Sequence, residues 1–240
     1  MSAEQKIPDM YLSLPHPCSY LADRMATTLF VDPRQPIEPE VFAVLMRSGF
    51  RRSGDLVYRP HCQGCRACIS VRIDAVRFRR SRAQERSWRK NADLAATEVP
   101  GEYHDEHFAL YRRYQALRHP GGGMDDPDPR KYVDFLLSRV ADTRLVEFRL
   151  QHDGRLAAVA AVDVLSGGLS AVYTFYDPAD MARGLGTYAI LWEVKWAQRL
   201  GLHWVYLGYW IRQCPKMDYK SAFRPLEAYV GGRWERVRDR

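Results

Sequence analysis

Leu156-Ala157-Ala158-Val159-Ala160-Ala161-Val162-Asp163-Val164, Gly167-Gly168, Leu169-Ser170-Ala171-Val172-Tyr173-Thr174-Phe175-Tyr176 and Arg183-Gly184-Leu185-Gly186-Thr187 follow one another in this order. The first run is apolar and β-branched, with no polar face, and predicts a strand. The two glycines turn the chain, and Leu169–Tyr176 returns as a second strand. The glycine pair at 184 and 186 then opens an apolar helix reaching about Leu200. Downstream, His203–Leu207 reads as a strand, and Glu227–Val230 with Trp234–Val237 as a hairpin about Gly231-Gly232. Upstream, Leu145–Leu150 is a strand, and Asp153-Gly154 is a strong hairpin signal. Two helices, about His104–Leu117 and Arg130–Val140, precede it, with a loop at Gly121–Pro127 between them.

Antiparallel strands, a Gly-rich loop entering a helix, and a further strand match an acetyltransferase-like (GNAT-type) acyl-transfer fold of the α/β (α+β) class. Pro100-Gly101 is a plausible linker, giving residues 1–98 as an N-terminal domain and 99–240 as the transferase-like domain. Within the first part, residues 9–33 are rich in Pro and small polar residues and read as extended or irregular around Pro15-His16-Pro17-Cys18. A helix is predicted from about Glu40 to Ser48, and short strands at Asp55–Arg59 and Ile69–Asp74.

Between those strands lies Tyr58-Arg59-Pro60-His61-Cys62-Gln63-Gly64-Cys65-Arg66-Ala67-Cys68. Three thiols at C-x-x-C-x-x-C spacing on a turn-rich loop can converge on a metal or an iron–sulfur cluster. They can also be structural thiols. Zinc, a [4Fe–4S] cluster and no metal at all stay open on spacing alone, and His61 is an alternative ligand. Cys214, far along the chain, reads as structural. Arg77 to Lys90 carries seven basic groups against one acid. Arg79, Arg82, Arg86 and Arg89 or Lys90 recur at helical spacing and share a face, which suits a polyphosphate partner or a solvated surface.

The chain has 240 residues, 46 % hydrophobic and 27 % charged, with a net charge of +7. Most of that excess sits in the basic stretch, so a local docking surface is expected rather than a generally cationic protein. The first residues carry no apolar secretory segment, no run is long enough to span a membrane, and five cysteines do not make a secreted disulfide framework. A cytoplasmic protein is expected.

Several segments together resemble the aminoacyl-tRNA–protein transferases of the N-degron pathway, most closely the compact bacterial branch that transfers leucine. In the N-terminal half these are Leu14–Leu21, Met46–Gly54, the Tyr58–Cys68 loop and Trp88-Arg89-Lys90-Asn91; in the C-terminal half they are Tyr173–Pro178, Leu207–Ile211 and Lys216–Lys220. The resemblance implies transfer of an amino acid from its tRNA ester to the α-amine of proteins beginning with Asp or Glu. It implies Leu-tRNA and those proteins as partners, and no cofactor for the chemistry. Cys18 becomes the fourth ligand for Cys62, Cys65 and Cys68, and the eukaryotic relatives favour an iron–sulfur cluster there over zinc. Arg79, Arg82, Arg86, Arg89 and Lys90 become the tRNA contact. Gly184 and Gly186 are placed near the tRNA 3′ end. Arg52, Arg59, Lys216, Tyr219 and Lys220 bind substrate, with Arg66 as another reader of the acidic residue. Tyr176 and Asp177 are the choice for amine activation, while His104 and His119 read as surface residues. An arginine-specific donor pocket would need a deep acid, for which Asp163 is the candidate. The alternatives are an arginyl transferase, a coenzyme A-dependent N-acetyltransferase, and a non-enzymatic zinc-knuckle nucleic-acid-binding protein.

Overall fold

A strand without a polar face needs cover on both sides. In the computed structural model, which describes residues 8–121 and 125–238, Leu156–Leu165 is the centre of such an arrangement. Met1 to Lys6, read as lacking a secretory segment, and Gly122, Gly123 and Met124 of the predicted loop lie outside the described residues.

The strands are β1 (Met10–Leu12), β2 (His16–Pro17), β3 (Met25–Ala26), β4 (Thr28–Val31), β5 (Arg51–Ser53), β6 (Leu56–Pro60), β7 (Ile69–Asp74), β8 (Leu94–Pro100), β9 (Asp142–Leu150), β10 (Leu156–Leu165), β11 (Gly168–Tyr176), β12 (Trp204–Trp210), β13 (Leu226–Val230) and β14 (Arg233–Arg236). The helices are α1 (Pro39–Arg47), α2 (Arg82–Lys90), α3 (Asp105–Arg118), α4 (Pro129–Leu136) and α5 (Leu185–Arg199), with 3-10 turns at Pro178–Arg183 and Pro215–Ala222. The large sheet runs β14-β13-β7-β12-β11-β10-β9-β8, and a smaller one runs β1-β4-β6-β5.

Side chains alternate along β10, so each face of the sheet gets its own cover. Ala158, Ala160 and Val162 pack with Tyr188, Leu191 and Trp192 of α5. Val159 and Ala161 pack with Leu110, Tyr111 and Tyr132 of α3 and α4. The β13–β14 turn holds Gly231 and Gly232 at φ 58° and 85°, both in the left-handed region that a two-residue hairpin turn requires.

Three expectations are sharpened or changed. Within residues 9–33, read as extended or irregular, the extended pieces pair as β1 to β4. Pro100, read with Gly101 as a linker, instead ends the edge strand β8, which pairs with β9 from Leu94↔Leu150 to Pro100↔Arg144. The expected boundary at 98/99 therefore falls inside a strand, and β7 lies between β13 and β12. The basic helix begins only at Arg82, because Ser81 caps it in a reciprocal box with Gln84.

The small sheet is fastened to the large one by charge. Arg52 on β5 donates from Nε to Asp163 Oδ2 at 2.7 Å and from Nη2 to Asp163 Oδ1 at 2.5 Å. Thr143 Oγ1 donates to the same carboxylate at 2.9 Å, and Arg52 Nη2 also reaches the Leu136 carbonyl at 3.0 Å. Both ionic side chains are sealed, at 1 % and 0 % exposure. Breaking such a pair leaves a buried charge with no counterion. Asp163→Asn should lower unfolding stability in urea by about 3–5 kcal/mol. Arg52→Met combined with Asp163→Leu should recover most of that loss.

Candidate active site

Parallel strands β11 and β12 are paired only over Gly168↔Trp204, Leu169↔Val205 and Ser170↔Tyr206. Both continue, to Tyr176 and Trp210, but apart. A cavity of about 160 Å³ opens at the parting, lined by Ser170, Ala171 and Val172 on one side and Leu207, Gly208 and Tyr209 on the other. A bulge in the β12–β7 ladder between Tyr206 and Gly208 helps release β12. Gly208 sits there at φ 79°, and an added Cβ would lie 3.7 Å from Lys220 Nζ and 3.9 Å from Arg51 Nε.

Those two cations define the electrostatics. Arg51 and Lys220 are 6 % and 7 % exposed. Arg51 Nη1 donates to the Phe50 carbonyl at 2.8 Å, while its Nε is buried without a partner. Lys220 Nζ donates to the Tyr209 carbonyl at 2.6 Å. Among the described residues neither forms an ion pair with a carboxylate. Burial pulls the Arg51 guanidinium below its usual value. Burial, then the charge of Arg51, pulls the Lys220 ammonium down to about 7. Two desolvated positive charges without a counterion are costly unless an anion completes them.

The expected site residues separate into those that meet here and those that do not. Lys220 lines the cavity with Met217. Arg59 is half-buried over the Phe50 ring at 4.9 Å and donates to the Ser48 carbonyl, close enough for its charge to reach Tyr209. Arg66, on the exposed Cys loop, donates to the Cys62 and Cys65 carbonyls. Lys216 is exposed, and His119 feels its charge. Tyr176 stands 4.8 Å from the Tyr114 ring, and an added Cβ on Gly186 would be 3.9 Å from it. The Gly loop thus lies against Tyr176, at the C-terminal end of β11. Burial, then the charge of Glu193, pushes the Tyr219 hydroxyl up to about 12.

Two of the expected residues are engaged by other partners. Arg52 also touches the cavity wall, but its guanidinium is consumed by Asp163, so neither is free for substrate. Asp177 is not free to activate an amine. Its Oδ1 accepts from the Ala179 amide, and Arg113 and Arg155 pair with its Oδ2 at 3.3 and 3.5 Å. Arg51, not among the residues expected from the sequence, lines the cavity. Its only sequence signal was alternation along β5, which sends Arg51 and Arg52 to opposite faces.

The basic helix proves contiguous with the Gly loop. Lys90 Nζ donates to the Ala182 carbonyl at 2.5 Å, Asn91 Nδ2 to the Arg183 carbonyl at 3.1 Å, and Arg183 Nε returns to Asn91 Oδ1. Arg82 and Arg86 are exposed. Arg79 is exposed and folds onto the Phe78 carbonyl, and Arg89 pairs with Glu85.

Cys18, Cys62, Cys65 and Cys68 are free, half-buried thiols. Burial, then the charges of the other three, pushes the Cys68 thiol up to about 12. They are neighbours with a donor set suited to a soft metal. Among the described residues, however, no three His, Cys, Asp or Glu side chains are closed around a metal position.

The Lys220 penalty has a pH signature. An amine whose folded pKa lies below its unfolded value costs stability fully below about 7, and the cost vanishes as pH rises towards 10.5. Lys220→Met should therefore gain thermal stability relative to the parent at pH 6.5, and the gain should shrink steadily by pH 9.5.

Comparison with known proteins gives the family. The arginine-tRNA-protein transferase N-terminal model matches residues 16–86, and the C-terminal model matches residues 106–230. The chain is 52 % identical over 233 residues to the aspartate/glutamate leucyltransferase of Nitrosococcus oceani, covering 96 % of this chain and 97 % of that one. It is 50 % identical to the proteins of the same name from Pseudomonas fluorescens (93 % and 94 % covered) and Chromobacterium violaceum (94 % and 92 %). Solved structures show looser likeness. One is L-PGS from Bacillus licheniformis, at TM-score 0.46 and 12 % identity over 72 % of this chain and 51 % of that one. Another is a tandem GNAT protein of clavulanic acid biosynthesis, at 0.41 and 14 % over 89 % and 59 %. With both halves matched in order and relatives at half identity over nearly its full length, the chain belongs to the arginine-tRNA-protein transferase family of aminoacyltransferases.

Proposed function

We propose that this protein transfers leucine from Leu-tRNA to the α-amine of proteins beginning with Asp or Glu, marking them for degradation. The observation that carries this reading is the pair of buried, uncompensated cations, Arg51 and Lys220, where β11 and β12 part. A carboxylate entering there would pair with the Arg51 Nε that has no partner. An amide would leave the cations unpaired, so the site should reject Asn and Gln. The names of the relatives support the same acceptors and leucine as donor. The acid considered for an arginine donor, Asp163, is already paired with Arg52.

The chemistry asks little of the protein. The tRNA ester is already activated, and the acceptor α-amine has a reference pKa of about 7.7–8.0. Holding amine and ester together is the main contribution. The amine attacks the ester carbonyl, the bond to the ribose oxygen breaks, and one N–H proton leaves with that oxygen. The N-terminus of α5, behind Gly184 and Gly186, offers unpaired N–H groups to the terminal phosphates of tRNA. The basic face of α2, bound to that loop through Lys90 and Asn91, continues the track along the acceptor arm. A soft metal centre on Cys18, Cys62, Cys65 and Cys68 belongs to this reading. It would cross-link the N-terminal loops beside Tyr20, which lines the cleft, and take no part in the transfer.

Purified protein with labelled Leu-tRNA should label peptides beginning with Asp and Glu, and not those beginning with Asn, Gln or Ala. Arg51→Met should reduce kcat/KM for the Asp peptide about a hundredfold, as expected when one member of a buried charge pair is removed. Equal labelling of Asp and Asn peptides would contradict the charge-reading site. Separately, Arg82→Ala with Arg86→Ala should weaken tRNA binding and flatten its log–log salt dependence by about two units.

A further inference from the structure

The wedge between β11 and β12 closes at the Ser170↔Tyr206 pair, and Gly208 lies two residues beyond it, near the apex. Its backbone is left-handed, beside the bulge in the β12–β7 ladder. A Cβ built on Gly208 would be in ordinary contact with two described atoms outside its chain neighbours, Lys220 Nζ at 3.7 Å and Arg51 Nε at 3.9 Å. Gly208, Arg51 and Lys220 line the same cavity. Both cations are more than nine-tenths buried, and Arg51 Nε has no partner. Lys220 Nζ donates to the Tyr209 carbonyl. An ammonium carries three N–H bonds, so among the described residues it has donors to spare. The orphaned donors of two side chains therefore converge on the space that any side chain at 208 would fill.

Both nitrogens lie within 4 Å of that one point, so a single carboxylate there can accept from both. We propose that Gly208 is a specificity-determining residue of the acceptor site. The space left by its missing side chain is the seat of the acceptor's carboxylate, and its backbone is the floor that limits how deep the acceptor's side chain reaches. This rests on the function proposed above and deepens it. Glycine also suits φ 79°, so backbone conformation alone is a competing reason for it. Asn and Asp separate the two reasons, because both are tolerated in the left-handed region. If glycine serves the backbone only, they can stand in for it. If its emptiness is the seat, they block it. Asp does more, because a carboxylate tethered at 208 would sit where the acceptor's sits. It would complete Arg51 and Lys220 without any substrate and so relieve two buried charges.

The test uses the full-length protein as parent, Gly208→Asp, Gly208→Asn and Gly208→Ala, with peptides beginning with Asp, Glu and Asn. Gly208→Asp and Gly208→Asn share shape and backbone strain, so the difference between them reads charge. Gly208→Asp should melt about 2–4 °C above Gly208→Asn. Both should lose about a hundredfold or more in affinity for the Asp peptide, and both should still bind Leu-tRNA, which shows the fold intact. Gly208→Ala fills the seat least. It should cost the Glu peptide about tenfold more in kcat/KM than the Asp peptide, because a shallower seat disfavours the longer side chain. Undiminished binding of the Asp peptide by Gly208→Asn would overturn the proposal, as would a Gly208→Asp protein no more stable than Gly208→Asn. If the two polar variants do not fold, Gly208→Ala decides alone, and equal losses on the Asp and Glu peptides would overturn the floor at Gly208. Failure of the parent itself to prefer Asp over Asn peptides would instead overturn the carboxylate reading on which the proposal rests.

Discussion

A buried positive charge must find a negative one, and on β5 two such charges stand side by side. Arg52 turns towards β10 and meets Asp163, closing a sealed ion pair between the small sheet and the large. Arg51 turns the other way and meets carbonyls, aromatic rings and Lys220, with no acid among the described residues. Much of the remaining architecture serves this asymmetry. The Arg52 pair fixes β5 against the sheet, and so fixes where Arg51 points. The bulge at Gly208 lets β12 leave β11 and opens space in front of it. An enzyme that must choose acidic N-termini while also binding polyanionic tRNA needs such a fixed charge. A mobile surface lysine would pair with phosphate as readily as with carboxylate.

The basic helix is tied to the loop before α5. Lys90 and Asn91, at the end of the basic helix, hold the backbone at Ala182 and Arg183, just before the N-terminus of α5. In the proposed function a phosphate chain following α2 would be led to that N-terminus. Residues more than ninety positions apart become one continuous surface through three hydrogen bonds.

Periodicity and turn chemistry made the secondary structure legible. The Asp153-Gly154 and Gly231-Gly232 hairpins, the long α5 and the buried β10 are local properties, and they stand where expected. Pairing is not local. Ala95 to Pro100 has no apolar alternation of its own, and it is a strand because β9 offers it a ladder. The short strands before Val31 exist for the same reason. The site was legible only in outline. Lys220 lines the cavity and Gly186 lies against Tyr176, but Asp177 is taken up by a backbone cap and two arginines. Choosing Arg51 over Arg52 required the register of β5 against its neighbours.

The most direct measurement of the central claim is a crystal structure of the full-length protein with a peptide beginning with Asp. The β-carboxylate should lie between β11 and β12 and accept from Arg51 Nε at about 3 Å, with Lys220 as its second donor. A carboxylate bound outside that parting, or held by exposed arginines with Arg51 still lacking a partner at Nε, would contradict it.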